Sequence, residues 1–154
     1  MDLNDLMASD AVFYGIKAAS KKQVLEELSA SAGRLSGLDA RDLFNALLQR
    51  ERLSSTALGR GVAVPHVHVA GLDRIVCLFA RLATPVDFEA PDKLPVDLVF
   101  LLLSPQHASG DHLKALARIS RLVRETSTME RLRSARGVDA LREVLLPTRA
   151  PHAA

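Results

Sequence analysis

Val96-Asp97-Leu98-Val99-Phe100-Leu101-Leu102-Leu103 is apolar at every position but one. A strand with one wet face alternates apolar and polar residues, whereas a strand covered on both faces does not need to. The run is far short of the roughly 20 residues of a membrane-spanning helix, and its Val and Phe content suits a strand. It therefore predicts a buried strand with layers on both sides. Arg74 to Leu82 reads as a second strand, rich in Ile, Val, Leu and Phe. The proline-containing stretch Thr84 to Pro95 reads as a long connection between the two.

The flanking sequence supplies the covering layers. Residues 1 to 19 read as a short helical turn followed by an extended piece, Ala11 to Ile16. Ser20-Lys21-Lys22-Gln23 has the form of a capping box and starts a helix. Its apolar stripe is Val24, Leu25 and Leu28, and Gly33 is expected to end it. Asp39 is a good N-cap for a second helix, which is expected to bury Ala40, Leu43, Phe44, Leu47 and Leu48 and to end at Arg50. Val62 to His66 reads as one short β-like run that Pro65 marks as an edge or an end. Ser109 or Asp111 can cap a helix reaching about Glu125, and one or two more helices fill Thr128 to Leu146. Helices and strands mixed along one chain predict an α/β or α+β class, a mixed β-sheet flanked by helices.

The 154 residues fit one domain, placed at residues 1–146, with a loose tail at 147–154. The 48% hydrophobic and 25% charged fractions are those of a globular chain. A net charge of +2 makes no field that calls for nucleic acid, and one Tyr and no Trp offer no platform for base stacking. The single cysteine, Cys77, cannot form an intramolecular disulfide and fits a reducing compartment. The N-terminus carries acids where a signal peptide carries bases. A cytoplasmic protein without membrane insertion is expected.

Three residues stand out chemically. His66 follows a proline and a glycine-bracketed turn, Gly59-Arg60-Gly61, a place that can fix a ring beside free backbone N–H groups; position alone favours a surface-loop histidine. His112 falls inside the arc of Leu113, Leu116, Ile119 and Val123 on a wheel of about 100° per residue, with Lys114, Arg118, Arg121 and Arg124 opposite. It faces the protein body in a first helical turn, where burial and the helix N-terminus disfavour its protonation. Arg50 either balances a helix dipole or binds a phosphate bidentately. His66 and His68 form an H-x-H pair that puts both rings on one face of a strand. That can hold a metal, but no third ligand is evident beyond Asp73, and neither metal nor cofactor is expected.

Arg50 to His66, RERLSSTALGRGVAVPH, resembles the active-site segment of enzyme IIA proteins of the fructose–mannitol class, part of the bacterial phosphoenolpyruvate-dependent phosphotransferase system. The resemblance continues through Leu82 to Phe88, Pro95 to Phe100 and His112-Leu113, and covers about residues 1 to 146. The stand-alone length and Ser20-Lys21-Lys22 are similar to the nitrogen-related branch. The resemblance implies a IIA sandwich, His66 as the phosphorylated residue, His112 as its neighbour and Arg50 as the phosphate-side cation. Thr56, Ser55, Gly59 and Gly61 are candidates for binding the phosphoryl group. The donor is then a phosphorylated HPr-like carrier, and regulatory targets such as transporters or sensor kinases read the phosphorylation state. Where the family usually carries glycine after the histidine, this chain has Val67, which resists positive φ; His68 also departs from the pattern. Two alternatives are a sugar-specific IIA feeding a separate IIB and a binding module of the same fold that no longer transfers phosphate.

Overall fold

A computed structural model of the chain describes residues 2–147. The expected loose tail lies outside them except for Pro147. In chain order the elements are α1 (Leu3–Leu6), a 3-10 turn (Ser9–Ala11), β1 (Val12–Ile16), α2 (Lys21–Ser36), α3 (Ala40–Leu53), β2 (Ala57–Gly59), β3 (Val62–Ala63), β4 (His66–Val69), β5 (Val76–Val86), β6 (Val96–Pro105), α4 (Ser109–Leu122), α5 (Thr126–Ser134) and α6 (Val138–Leu145).

The strands form one mixed sheet in the order β1-β5-β6-β3-β2. β6 runs antiparallel to β5 and parallel to both β3 and β4, which follow one another along the same edge. Every residue of β6 from Leu98 to Pro105 is buried. Successive side chains point to opposite faces, so both faces of the sheet are covered, as the apolar run predicts. α2 and α3 pack on each other and on β5 and β4, while α4 lies on β6 and α6 on β1. Leu25, Leu28, Leu43 and Leu47 are fully buried, each worth about 1.5–3 kcal/mol of burial.

The helix starts follow local chemistry. Ser20 accepts from the Gln23 N–H (3.2 Å), and the Gln23 side chain reaches back to the Ala19 N–H (2.6 Å). Asp39 accepts from the N–H groups of Arg41 and Asp42. Gly33 does not end α2. The helix runs on to Ser36, and Gly37, in the left-handed region at φ 78°, closes it. Gly33 instead permits close packing, since a Cβ there would lie 3.0 Å from the Leu38 carbonyl oxygen. α3 outlasts Arg50 by three residues, and Ala40, Phe44 and Leu48 are only partly buried.

Two strand boundaries and one helix cap differ from expectation. Pro65 divides the Val62–His66 run in two, so His66 opens β4 instead of closing a strand. β5 continues through Pro85 to Val86; the pairing with β6 is irregular between Arg81 and Val86, so the proline breaks no regular ladder there. The connection is correspondingly shorter, residues 87–95. At α4 neither Ser109 nor Asp111 is the cap; the N-cap is Ala108, without a side-chain bond.

Candidate functional site

β4 lies beside the C-terminal half of β6, with His66 opposite Leu102 and His68 opposite Ser104. Paired residues of neighbouring strands share a face, and the first turn of α4 delivers His112 onto that face. The ring centroids of His112 and His66 are 5.4 Å apart, and those of His112 and His68 are 4.2 Å apart at an interplanar angle of 33°. The predicted pair is thus a cluster of three imidazoles. His112 is 6% exposed, whereas Leu113, expected in the same apolar arc, is 66% exposed. The buried stripe of α4 is His112, Ala115, Ile119 and Leu122, turned by about one residue from the wheel.

Each ring has a defined partner at Nδ1. His66 Nδ1–H donates to the Val64 carbonyl (2.7 Å) and His68 Nδ1–H to the Pro105 carbonyl (3.1 Å). A carbonyl only accepts, so in the neutral form of either ring the lone pair sits on Nε2. His112 Nδ1 lies 2.6 Å from the buried Ser104 hydroxyl. Burial lowers the His66 pKa below 6.5, with Arg50 and His68 acting in the same direction and the Val64 bond and Glu51 opposing. Burial, then the charges of His68 and His66, pushes His112 down to about 4. Both rings are neutral at pH 7, and His66 presents a bare Nε2.

Arg50 sits close enough for its charge to act on His66. Its Nη1 donates to the Ser54 carbonyl (3.1 Å), so it closes its own helix while its charge reaches His66. The other candidates are placed differently. The Ser55 hydroxyl donates to the Phe88 carbonyl (2.6 Å), and the Thr56 hydroxyl donates to the buried Glu51 carboxylate. Both protons are engaged within the protein. Gly59 and Gly61 are not brought to the histidines. The Gly61 carbonyl accepts from the Asp97 N–H, five residues before Leu102, the partner of His66. At 3.3 Å per residue that is about 16 Å away. Their turn is tied down by Asp92, Asp97 and Arg133.

The family model described as "Phosphoenolpyruvate-dependent sugar phosphotransferase system, EIIA 2" matches residues 5–147. The chain belongs to this family. It is 51% identical over 145 residues to a "Nitrogen regulatory protein" of Bradyrhizobium diazoefficiens, covering 94% of this chain and 95% of that one. It is also 30% identical to the "PTS system fructose-specific EIIABC component" of Bacillus subtilis, across 94% of this chain but 23% of the larger protein. Its fold is similar to that of Nitrogen Regulatory Protein IIA-Ntr from Neisseria meningitidis, with a TM-score of 0.87 and 35% identity over 93% of this chain and 98% of the other. IIA mannitol of Escherichia coli superposes with a TM-score of 0.75 at 25% identity, over 90% and 97% of the two chains. Within the EIIA 2 family, the chain is thus similar to nitrogen regulatory proteins.

Against the family pattern, Val67 needs no glycine's freedom here. β4 runs through it, paired with Leu103, in extended backbone that a β-branched residue favours. Three features of the site escaped the sequence reading. Ser104 is a lone hydroxyl in an apolar strand, and a buried polar group demands a partner; that signal was available. Glu51 is an acid in the last turn of a helix, where the dipole disfavours it. It is 5% exposed and pairs with Lys21 at 3.0 Å. The H-x-H spacing places His68 beside His66, but its stacking on His112 depends on a tertiary contact. Among the described residues no group of three or more His, Cys, Asp and Glu is arranged to hold a metal, and no helix is long and apolar enough to cross a membrane.

Proposed function

We propose that this protein is a cytoplasmic histidine phosphocarrier of the nitrogen-related phosphotransferase system. It accepts a phosphoryl group from a phosphorylated HPr-like carrier on Nε2 of His66, and its phosphorylation state regulates partner proteins such as transporters or sensor kinases. The observation that carries this reading is the His66 ring itself: Nδ1–H is spent on the Val64 carbonyl, so the nucleophilic lone pair is fixed at Nε2, beside neutral His112 and within the field of Arg50.

Transfer then proceeds in line through a loose transition state. The Nε2 lone pair forms the new N–P bond while the donor's N–P bond breaks, its electron pair returning to the donor imidazole. The His66 ring becomes cationic, and the Nδ1–H bond to the Val64 carbonyl stabilises that charge. Arg50 offsets the charge of the incoming phosphoryl group. Phosphorylation adds about two negative charges on the phosphoryl oxygens, a change a partner surface reads by electrostatic complementarity. The nitrogen regulatory relatives support this regulatory output.

Incubation with phosphoenolpyruvate, enzyme I and an HPr-type carrier is expected to add one acid-labile phosphate to the wild type and none to His66→Ala. Labelling of His66→Ala refutes the assignment. No labelling of the wild type, with target binding intact, identifies a module that no longer transfers phosphate.

A further inference from the structure

Ser104 sits in β6 with 0% exposure, and its hydroxyl lies 2.6 Å from His112 Nδ1. Among the described residues it has no other hydrogen-bond partner in the structure. Two arrangements satisfy that distance. If His112 carried its proton on Nδ1 and donated it, the Ser104 O–H would be left buried with no acceptor, at a cost of about 1–3 kcal/mol. If the hydroxyl donates to Nδ1, both groups are satisfied and the ring proton of His112 is placed on Nε2. His66 and His68 are held in the opposite tautomer by the Val64 and Pro105 carbonyls. His112 is the one ring of the three whose Nδ1 faces a hydroxyl instead of a carbonyl, and a hydroxyl alone among these partners can donate.

We propose that Ser104 is a positioning residue that sets His112 as the Nε2–H tautomer, so that a neutral His112 donates a hydrogen bond to the phosphoryl group on His66. The inference rests on phosphorylation of His66 and adds a reason for the neutrality of His112. A neutral ring with its proton on Nδ1 would present only a lone pair, which repels phosphoryl oxygens. A ring with its proton on Nε2 presents a donor that needs no prior protonation, so the interaction persists well above the pH at which a free imidazole loses its charge. Ser104 does this without touching the reacting atoms.

Two measurements on the full chain separate this from the phosphocarrier reading. Long-range 1H–15N NMR at pH 7 is expected to show wild-type His112 protonated at Nε2 and bare at Nδ1. His66 is expected in the reverse pattern. Ser104→Ala is expected to shift His112 toward the Nδ1–H form, and Ser104→Thr, which keeps the hydroxyl, to restore it. In phosphate incorporation from the phosphorylated HPr-type carrier, Ser104→Ala is expected to slow labelling about tenfold, with Ser104→Thr within about threefold of wild type. Wild-type His112 protonated at Nδ1 overturns the proposal even if no variant folds. So does Ser104→Ala with tautomer and rate unchanged. Failure of the wild type to take phosphate instead overturns the phosphocarrier reading, and the NMR measurement still decides the tautomer.

Discussion

Replacing Lys21 by Met tests whether the joint between α2 and the strand-leading loop is held by charge. Glu51 has a side chain 2% exposed and accepts from Lys21 Nζ at 3.0 Å, from the Thr56 N–H at 2.7 Å and from the Thr56 hydroxyl. Removing one partner of a buried ion pair typically costs 3–5 kcal/mol, because the remaining charge is left unmatched. The two Thr56 donors still solvate the carboxylate, so Lys21→Met is expected near the lower end, about 3 kcal/mol. Glu51→Gln removes the charge from the dry side of the pair. It leaves Lys21 with the Phe88 carbonyl at 3.4 Å and some access to water, so about 1–2 kcal/mol is expected. The double variant is expected to cost less than the two singles together, by at least about 1 kcal/mol. Urea unfolding at fixed pH measures all three. A total stability of about 5–15 kcal/mol makes such losses readily visible. Single-variant losses below about 0.5 kcal/mol each, or strict additivity, would refute the view that the pair is coupled and desolvated.

Acid is expected to act through the histidine cluster. In the folded chain His112 titrates near 4 and His66 below 6.5, so the unfolded chain binds more protons between those values and stability falls as pH falls from 6.5 toward 4. At about 1.4 kcal/mol per pH unit, His112 accounts for up to about 3 kcal/mol. A His112→Asn variant is expected to lose less stability across that window in urea melts, and an unchanged slope sinks the assignment. Gly61→Ala is expected to cost about 1–3 kcal/mol, since φ is 79° there and a Cβ would lie 2.6 Å from Arg133 Nη2 and 2.9 Å from Asp97 Oδ1; a thermal midpoint equal to wild type contradicts it. Because Gly61 is remote from His66, that variant is expected to label at wild-type rate when folded. Val67→Gly, which restores the family's residue, is expected to lose about 1 kcal/mol of strand stability and to leave labelling of His66 intact; abolished labelling would show that Val67 shapes the site.

The parts of this fold that are legible in the sequence are those set by local chemistry. An apolar run with one break gives β6 its two covered faces; Ser20 and Asp39 start their helices because a short polar side chain answers free N–H groups at that point and nowhere else. What is not legible depends on who the neighbour is. Gly33 looks like a helix end because glycine is cheap there, yet its lack of a Cβ makes room for the Leu38 carbonyl in the connection and for Ala40 at the start of the next helix. Leu113 belongs to the apolar arc of an ideal wheel, but α4 is rotated so that His112 and Ala115 face inward. The glycine-bracketed turn and the histidine lie seven and five residues apart in sequence, which makes them look like one site; the parallel run of β3 and β4 along β6 carries them to opposite ends of the strand.

The histidine cluster itself is a consequence of strand register. His66, His68, Leu102 and Ser104 share a face because β4 pairs with β6 as His66↔Leu102 and His68↔Ser104. A slip of β4 by one residue would turn Val67 toward α4 and send both imidazoles to the other face. Several features oppose the slip. The Leu102 N–H bonds to the Pro65 carbonyl at 2.9 Å, just before β4 begins, and Pro65 has no N–H with which to extend an alternative ladder. Val69 is buried on the face opposite the histidines, where a slip would place a ring nitrogen among apolar groups. The packing that stabilises the sheet therefore also fixes which imidazoles meet, and Ser104, placed by the same register, decides which nitrogen of His112 is offered to the site.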